Sequence, residues 1–177
     1  MNLNKIINRI KSINTNIRFV GQFDENNQKT GYWESYYRSG RLWSKGYFLN
    51  GLEDGYWEYY TSYGKLGSKG NFINNKQNGY WEYYHENGNL AWKGNFINGK
   101  KDGYWEEYWE NGNLWGYGNY KNGKKEGYWN KFNYYGNLHW KGTYVNGYRD
   151  GYWEQYSNNG NLESKGNYIN GTFYELK

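Results

Sequence analysis

Short runs of alternating aromatic and polar residues fill most of the chain, and glycine and asparagine separate them. Residues 79–84 read Gly-Tyr-Trp-Glu-Tyr-Tyr, and residues 90–96 read Leu-Ala-Trp-Lys-Gly-Asn-Phe. Aromatic-rich alternation of this kind is typical of β-strands. The pairs Asn87-Gly88 and Asn98-Gly99 follow the two runs, and Asn-Gly between such runs predicts a hairpin turn because both residues tolerate positive φ. Residues 79–102 are therefore predicted to form one β-hairpin and the turn that leads to the next.

This hairpin is one of six copies of a 24-residue repeat, which we number from the glycine of Gly-Tyr-Trp as position 1. The copies begin at Gly31, Gly55, Gly79, Gly103, Gly127 and Gly151. Glycine recurs at positions 10 and 16, leucine at 12, an aromatic residue at 18 and asparagine at 20. A fixed period indicates a repeat architecture, and each glycine costs a helix about 1 kcal/mol. We therefore predict an all-β fold, an elongated single-sheet antiparallel β-meander of tandem hairpins that forms a solenoid-like rod.

The turn inside each hairpin allows two registers, which the third copy illustrates. A two-residue turn at Asn87-Gly88 places Trp81 opposite Gly94. A three-residue turn that ends at Gly88 places Tyr80 opposite Gly94 instead. We prefer the second register, because half of the copies have no asparagine before the turn glycine and only glycine then needs positive φ. Tyr80 would in that case cover the strand glycine Gly94.

The N-terminal 30 residues depart from the repeat. Residues 1–15 carry isoleucine and leucine at helical spacing, with lysine and arginine between them, which predicts a short amphipathic helix. We interpret this helix as a cap over the first strand edge, with contact to a membrane surface as the alternative. Residues 16–30 are predicted to form a degenerate half-repeat, residues 31–174 the six repeats, and residues 175–177 the C-terminal end.

Composition narrows the class of protein. The 177 residues include no cysteine, which excludes disulfides, thiolate metal sites and cysteine nucleophiles. A mean hydropathy of −1.28 is typical of disordered chains, but aromatic residues make up 24% and disordered chains are poor in them. No apolar run is long enough for a transmembrane helix, and the N-terminus lacks the features of a signal peptide. We expect an intracellular, cytoplasmic protein, with association with a virion as the alternative.

The repeat resembles a known family. The pattern Gly-Tyr-Trp-Glu-x-Tyr-x-x-Asn-Gly-x-Leu-x-x-Lys-Gly-x-Phe-x-Asn-Gly, clearest in residues 79–126, is similar to the MORN repeat, above all to the variant found in tandem in bacterial antitoxin-like proteins of the YwqK type and in giant-virus proteins. The resemblance covers residues 16–174. It implies elongated sheets of hairpins that serve as scaffolds, dimerisation rods or interaction platforms, and lipid binding has been proposed for the family. Tryptophan at position 3 and Lys-Gly-x-Phe at positions 15–18 depart from the commoner pattern.

Few residues suggest catalysis or metal binding. His85 and His139 occupy different repeat positions. Glutamate recurs at position 4, so we interpret it as part of the framework, paired with lysine or facing solvent. Position 24 supplies at most one carboxylate per copy, too few for a calcium site of six to eight oxygens. We predict that the protein is not an enzyme and has no cofactor or metal.

The recurring lysines could indicate a nucleic-acid-binding surface. Lysine recurs at position 15 and in the pairs Lys100-Lys101 and Lys124-Lys125, which we place in turns. Single-strand binders combine basic grooves with aromatic residues. Most lysines are nearly matched by a carboxylate in the same copy, however, and the net charge is +5. A solvated, mixed-charge surface is the favoured interpretation, and anionic lipid remains a competing ligand.

Aromatic residues outside the framework positions are the most informative, because the repeat itself does not require them. Interfaces and their hot spots are enriched in tryptophan and tyrosine. The predicted interaction patch comprises Trp43, Trp92, Trp109, Trp115, Tyr117, Tyr134, Tyr135, His139 and Trp140. The alternative is that these residues pack on the second face of the sheet.

We therefore predict a structural scaffold or protein–protein interaction module that binds a partner protein or self-associates through an aromatic β-surface. Antitoxin-like binding of a partner toxin and binding of a glycan or phospholipid are the alternatives, and nucleic acid is disfavoured.

Overall fold

The computed structural model describes residues 7–8 and 17–177, and this part of the chain holds strands and turns but no helix. Residues 1–88 and residues 89–177 form two compact units. The first unit contains β1 (Ile7–Asn8), β2 (Ile17–Phe23), β3 (Lys29–Tyr37), β4 (Leu42–Leu49), β5 (Leu52–Glu53), β6 (Gly55–Tyr60), β7 (Leu66–Ile73) and β8 (Lys76–Tyr84). The second contains β9 (Leu90–Ile97), β10 (Lys100–Tyr108), β11 (Leu114–Lys121), β12 (Lys124–Phe132), β13 (Leu138–Val145), β14 (Tyr148–Tyr156), β15 (Leu162–Ile169) and β16 (Thr172–Glu175).

Each unit is an antiparallel meander, in which strands pair with their neighbours in the chain. The short strand β5 pairs with β4, and β6 continues the same pairing after it. The predicted all-β meander of hairpins is therefore confirmed.

Two kinds of turn join the strands. Between β3 and β4, the Gly40 amide donates to the Tyr37 carbonyl at 2.8 Å, and Gly40 has a φ of 83°. Between β4 and β5, Asn50 and Gly51 have φ values of 51° and 78°, as a two-residue hairpin turn of type I′ requires. The first kind needs only one residue at positive φ, and the second needs two, which is why asparagine is fixed at position 20.

The three-residue turn is confirmed, but the strand register predicted from it is wrong. Tyr36 pairs with Leu42, as the three-residue turn requires, but Ser35 pairs with Ser44. One extra residue, Trp43, therefore forms a β-bulge, and every pair beyond it shifts by one. The shift places Trp33 opposite a glycine, the arrangement that the two-residue turn would have given.

Tryptophan, rather than tyrosine, covers the strand glycines, so the predicted cover of Gly94 by Tyr80 was also wrong. In the second unit, a Cβ built on Gly94 would lie 2.7 Å from Cγ of Trp105, which belongs to the next repeat. The indole of Trp105 is fully buried and donates to the Asn95 carbonyl at 3.2 Å. Gly103, at a φ of 72°, lies in a second irregularity of the ladder beside this carbonyl.

The position-3 tryptophans are the core of both units. They are Trp33, Trp57 and Trp81 in the first unit and Trp105, Trp129 and Trp153 in the second, each at most 3% exposed. We call the side of each sheet on which they lie the tryptophan face. Positions 2 and 4 point to the opposite side, which we call the tyrosine face.

The helix predicted for residues 1–15 lies almost entirely outside the described residues. The two residues described there, Ile7 and Asn8, are extended in β1 and pair with Phe23 and Gln22. At these two positions the chain is a strand rather than a helix.

Candidate functional site

The tyrosine face is held by a repeated ion pair. In the first unit, Lys45 Nζ lies 2.7 Å from Glu58 Oε2, and the Tyr60 hydroxyl donates to the same oxygen. In the second unit, Lys93 bonds Glu106 at 2.7 Å. Four lysines at position 15 thus pair with the glutamate at position 4 of the following repeat, in the first, second, third and fifth copies. The framework interpretation of these glutamates is confirmed for the paired residues, because lysine and tyrosine use the carboxylates as structural acceptors.

One ion pair of the second unit is replaced by uncharged residues. Tyr117 stands where other repeats have lysine, Asn130 stands where they have glutamate, and Phe132 stands where they have tyrosine. The rings of Tyr117 and Phe132 stack with centroids 6.1 Å apart, and Tyr117 also lies 6.1 Å from Tyr104. Tyr117 and Asn130 are directly paired residues of β11 and β12. All three members of the Lys–Glu–Tyr set have therefore changed together, leaving an aromatic surface at this point.

Several predicted patch residues meet at the turn end of the hairpins in the second unit. The ring centroids of Trp109 and Trp115 are 6.3 Å apart, and those of Trp109 and Tyr134 are 5.8 Å apart. Tyr135 contacts Tyr134 edge to face, and its side chain is 79% exposed. A cleft of about 240 Å³ opens beside Trp109, Tyr134 and His139. We call Trp109, Trp115, Tyr134, Tyr135 and His139 the aromatic patch.

Two members of the aromatic patch are bulge residues. Tyr108 pairs with Leu114 and Glu107 with Gly116, so Trp115 has no partner across the ladder. His139 is skipped in the same way between β12 and β13, and its Nδ1 lies 3.2 Å from the Tyr156 carbonyl. A bulge redirects the side chain of the extra residue. Position 13 is therefore where this repeat can vary a side chain without changing the ladder.

The remaining predicted patch residues lie elsewhere. Trp43 is in the first unit and packs on Tyr59 at 6.2 Å. Trp92 packs on Trp105, and the nearly buried Trp140 packs on Trp153. These three extend the tryptophan core of their own units, in agreement with the packing alternative. Tyr117 lies on the tyrosine face and contacts Phe132, which itself lines the cleft.

Cations on the tryptophan face are the feature that the sequence interpretation missed. Lys101 and Lys125 were placed in turns but lie inside β10 and β12. Lys101 Nζ is 4.2 Å from the Trp105 ring centroid, and Lys125 Nζ is 4.0 Å from that of Trp129. Burial is the main cause that lowers the pKa of both lysines. Their common repeat position, 23, was the signal that could have revealed them.

Across residues 7–8 and 17–177, histidine and carboxylate side chains nowhere form a group of three that could hold a metal ion. The same part of the chain has no helix with the length and apolar character that crossing a membrane requires.

Comparison with known proteins gives one family. The MORN repeat variant matches residues 29–50, 77–98, 101–122 and 149–170. Each match begins at position 23 of a repeat and ends at the Asn-Gly turn, so it spans one complete hairpin. No curated protein is significantly similar to the chain.

Proposed function

Because the chain belongs to the MORN repeat family, as an array of its variant repeat, we propose that it is a non-enzymatic interaction module that binds a partner protein through the aromatic patch. Members of the family are generally non-enzymatic. The repeats supply the scaffold, and residues that differ between repeats supply the specificity.

One observation carries this proposal: unusual aromatic residues from two successive hairpins converge at an open cleft. Trp109 comes from one hairpin turn, and Tyr134 and Tyr135 come from the next. Tyr134 is 49% exposed, and the cleft beside it is large enough to receive a side chain of a partner. Rigid aromatic side chains beside such a cleft are typical of binding hot spots, because they bury a large area at low entropic cost.

The repeat itself supplies substitutions that should preserve the fold. Position 7, occupied by Trp109, is serine in the last repeat, and position 13, occupied by Trp115, is alanine at Ala91. The double variant Trp109→Ser/Trp115→Ala therefore introduces only residues that other copies already accommodate.

The test is affinity capture of the tagged protein from extracts of its source, with mass spectrometry and light scattering of the eluate. We expect one stoichiometric protein partner, or a defined self-assembly, that the double variant loses. Tyr135→Ala should also weaken capture. Its matched control is Tyr63→Ala, because Tyr63 occupies the same repeat position and is 75% exposed but lies in the first unit. Equal capture by all variants would refute the aromatic patch as the contact surface.

A further inference from the structure

The two units differ in charge at one position of the tryptophan face. Position 23 holds Lys29, Glu53 and Gln77 in the first unit. In the second unit the first three occupants of this position are all cations, Lys101, Lys125 and Arg149, and the last repeat has Phe173 there. The second unit thus carries more positive charge at this position than the first unit. The repeat does not require a cation there, because the first unit has glutamate and glutamine at the same position.

These three cations lie over buried aromatic rings, and we call them the cationic stripe. Arg149 Cζ is 4.6 Å from the Trp153 ring centroid, and its Nη1 donates to the Tyr168 hydroxyl at 2.8 Å. Lys125 has four aromatic rings within 6 Å. Aromatic faces hold a cation in place by their quadrupole without neutralising its charge.

Little negative charge opposes the cationic stripe. Glu107 lies 3.6 Å from Lys101 and accepts a hydrogen bond from Tyr120. Lys131 adds a further cation, 4.5 Å from the Trp115 ring centroid. Among residues 17–177, neither Lys125 nor Arg149 forms a salt bridge. The tryptophan face of the second unit therefore carries an excess of partly desolvated positive charge. An anion should bind these cations more strongly than it would bind fully solvated lysines.

We propose that the cationic stripe binds an extended acidic peptide segment that carries a carboxylate at every third residue. The cations lie on alternate strands, β10, β12 and β14, so neighbouring cations are about 10 Å apart across the sheet. A polyproline II chain has three residues per turn and rises about 3.1 Å per residue, which places every third side chain on one side at intervals of about 9 Å. The two spacings agree, and uncharged residues of the peptide would lie against the aromatic edges between cations.

Single-stranded nucleic acid fits the same surface less well. Its binders use exposed aromatic faces on which bases stack. Here the rings of Trp105 and Trp129 are fully buried, and the lysine ammonium groups occupy positions over them. The surface offers separated point charges rather than stacking platforms.

The inference concerns three cations rather than the aromatic patch, although Trp115 of the patch borders Lys125, and it does not rest on the proposed function. A labelled peptide of Ser-Pro-Asp repeats, about 15 residues long, tests it by fluorescence anisotropy at low ionic strength, because proline favours the polyproline II conformation. The full-length protein should bind this peptide. It should bind a peptide of the same composition with consecutive aspartates more weakly, and an asparagine version not at all.

The chain provides a matched pair of variants. Lys101→Gln/Lys125→Gln removes two charges from the tryptophan face and introduces the residue already present at Gln77. Lys100→Gln/Lys124→Gln removes the same charge from the two adjacent, exposed residues. We expect the first variant to weaken peptide binding by about tenfold or more and the second by less than about twofold. The Lys125→Arg variant should still bind the peptide, because it keeps the positive charge, and it controls for any effect of substitution at this position on the fold.

Three outcomes would overturn the inference. One is no binding of the Ser-Pro-Asp peptide to the unmodified protein at low ionic strength. Another is an equal loss of affinity in the two double variants. The third is tighter binding of an oligothymidine strand than of the peptide, with the same dependence on Lys101 and Lys125, which would assign the surface to nucleic acid. The Tyr135→Ala variant should still bind the peptide, because the rings around Lys101, Lys125 and Arg149 do not include Tyr135. Failure of this inference and failure of the proposed function are therefore separately visible.

Discussion

Replacing a covered strand glycine by alanine should strongly destabilise the first unit. An added Cβ at Gly70 would lie 2.5 Å from Cγ of Trp81 and closer still to two other ring atoms. The ring has nowhere to move without loss, because Trp81 is only 1% exposed and packs edge to face on Phe72 at 5.0 Å. Its indole also donates to the Asn71 carbonyl at 2.9 Å. Alanine must therefore displace the tryptophan that forms the local core.

The expected loss in free energy of unfolding for Gly70→Ala combines two destabilising effects and one stabilising effect. Overpacking of a buried site costs about 1–3 kcal/mol, and loss of the indole hydrogen bond adds about 1 kcal/mol. The lower entropy of alanine in the unfolded chain returns about 0.5 kcal/mol. We expect Gly70→Ala to lower the free energy of unfolding by about 2.5 kcal/mol.

A second glycine of the same strand supplies the control. A Cβ at Gly67 would meet its nearest atom, the Tyr59 carbonyl oxygen, at 3.5 Å, an ordinary contact, and Gly67 is not among the residues with positive φ. Gly67→Ala should therefore leave stability unchanged or raise it by about 0.5 kcal/mol.

Urea unfolding followed by circular dichroism measures both variants. The decisive comparison is a double-mutant cycle with Trp81→Leu, in which the smaller side chain leaves room for the added methyl group. We expect the cost of Gly70→Ala to fall below about 1 kcal/mol in that background. Similar costs for Gly70→Ala and Gly67→Ala, or an unchanged cost in the Trp81→Leu background, would refute the assignment of this glycine to tryptophan packing.

Two further predictions concern the tyrosine face of the second unit. Hydrogen bonds from Lys141 and Tyr156 lower the pKa of Glu154 to about 2, so the ionised carboxylate contributes its full stabilisation above the unfolded pKa of 4.5 and loses it as the pH falls towards 2. In acid unfolding, the stability of the Glu154→Gln variant should therefore depend less on pH over this range than that of the unmodified protein. An unchanged pH profile would contradict this role of Glu154. Asn130→Glu alone should lower the stability of the protein by about 1–2 kcal/mol, because it adds a carboxylate beside Tyr117 without the usual lysine. The triple variant that also carries Tyr117→Lys and Phe132→Tyr should regain this stability in thermal unfolding, because it rebuilds the ion pair. Failure of the triple variant to recover stability would show that the three substitutions are not one coupled set.

The strands could be predicted from local sequence because their signals are local. Alternation assigns β10 and β11. The turn after each hairpin is fixed by the asparagine at position 20 and by the next residue, which is glycine in every copy except the second, where it is Asn75. The glutamates at position 4 could be recognised as framework because they recur with lysine at position 15. These features depend on backbone dihedral preferences and on residues that recur at fixed repeat positions, both of which can be recognised in the sequence.

The aromatic patch could be predicted only in part. Trp109, Trp115, Tyr134, Tyr135 and His139 meet as a surface of mixed exposure. Trp43, Trp92 and Trp140 have the same residue types outside the framework, yet the structure packs them onto core rings. Trp92 and Trp140 share position 14, which no residue of the aromatic patch occupies, whereas Trp43 shares position 13 with Trp115 and His139. Position 13 therefore does not reveal the packing, because exposure there depends on which side chain of the neighbouring strand lies beside each residue.

The sequence by itself determined the period, the strands, the turns and the residues that depart from the repeat. Tertiary structure decided the register, the role of the tryptophans and the position of the cations. A single bulge at Trp115 shifts every pair beyond it, and Trp129 covers Gly118 of the preceding repeat. The physical reason is that a hairpin has no core of its own. Each hairpin acquires its packing partners, and Lys125 its aromatic surroundings, only when the next strands of the sheet are in place.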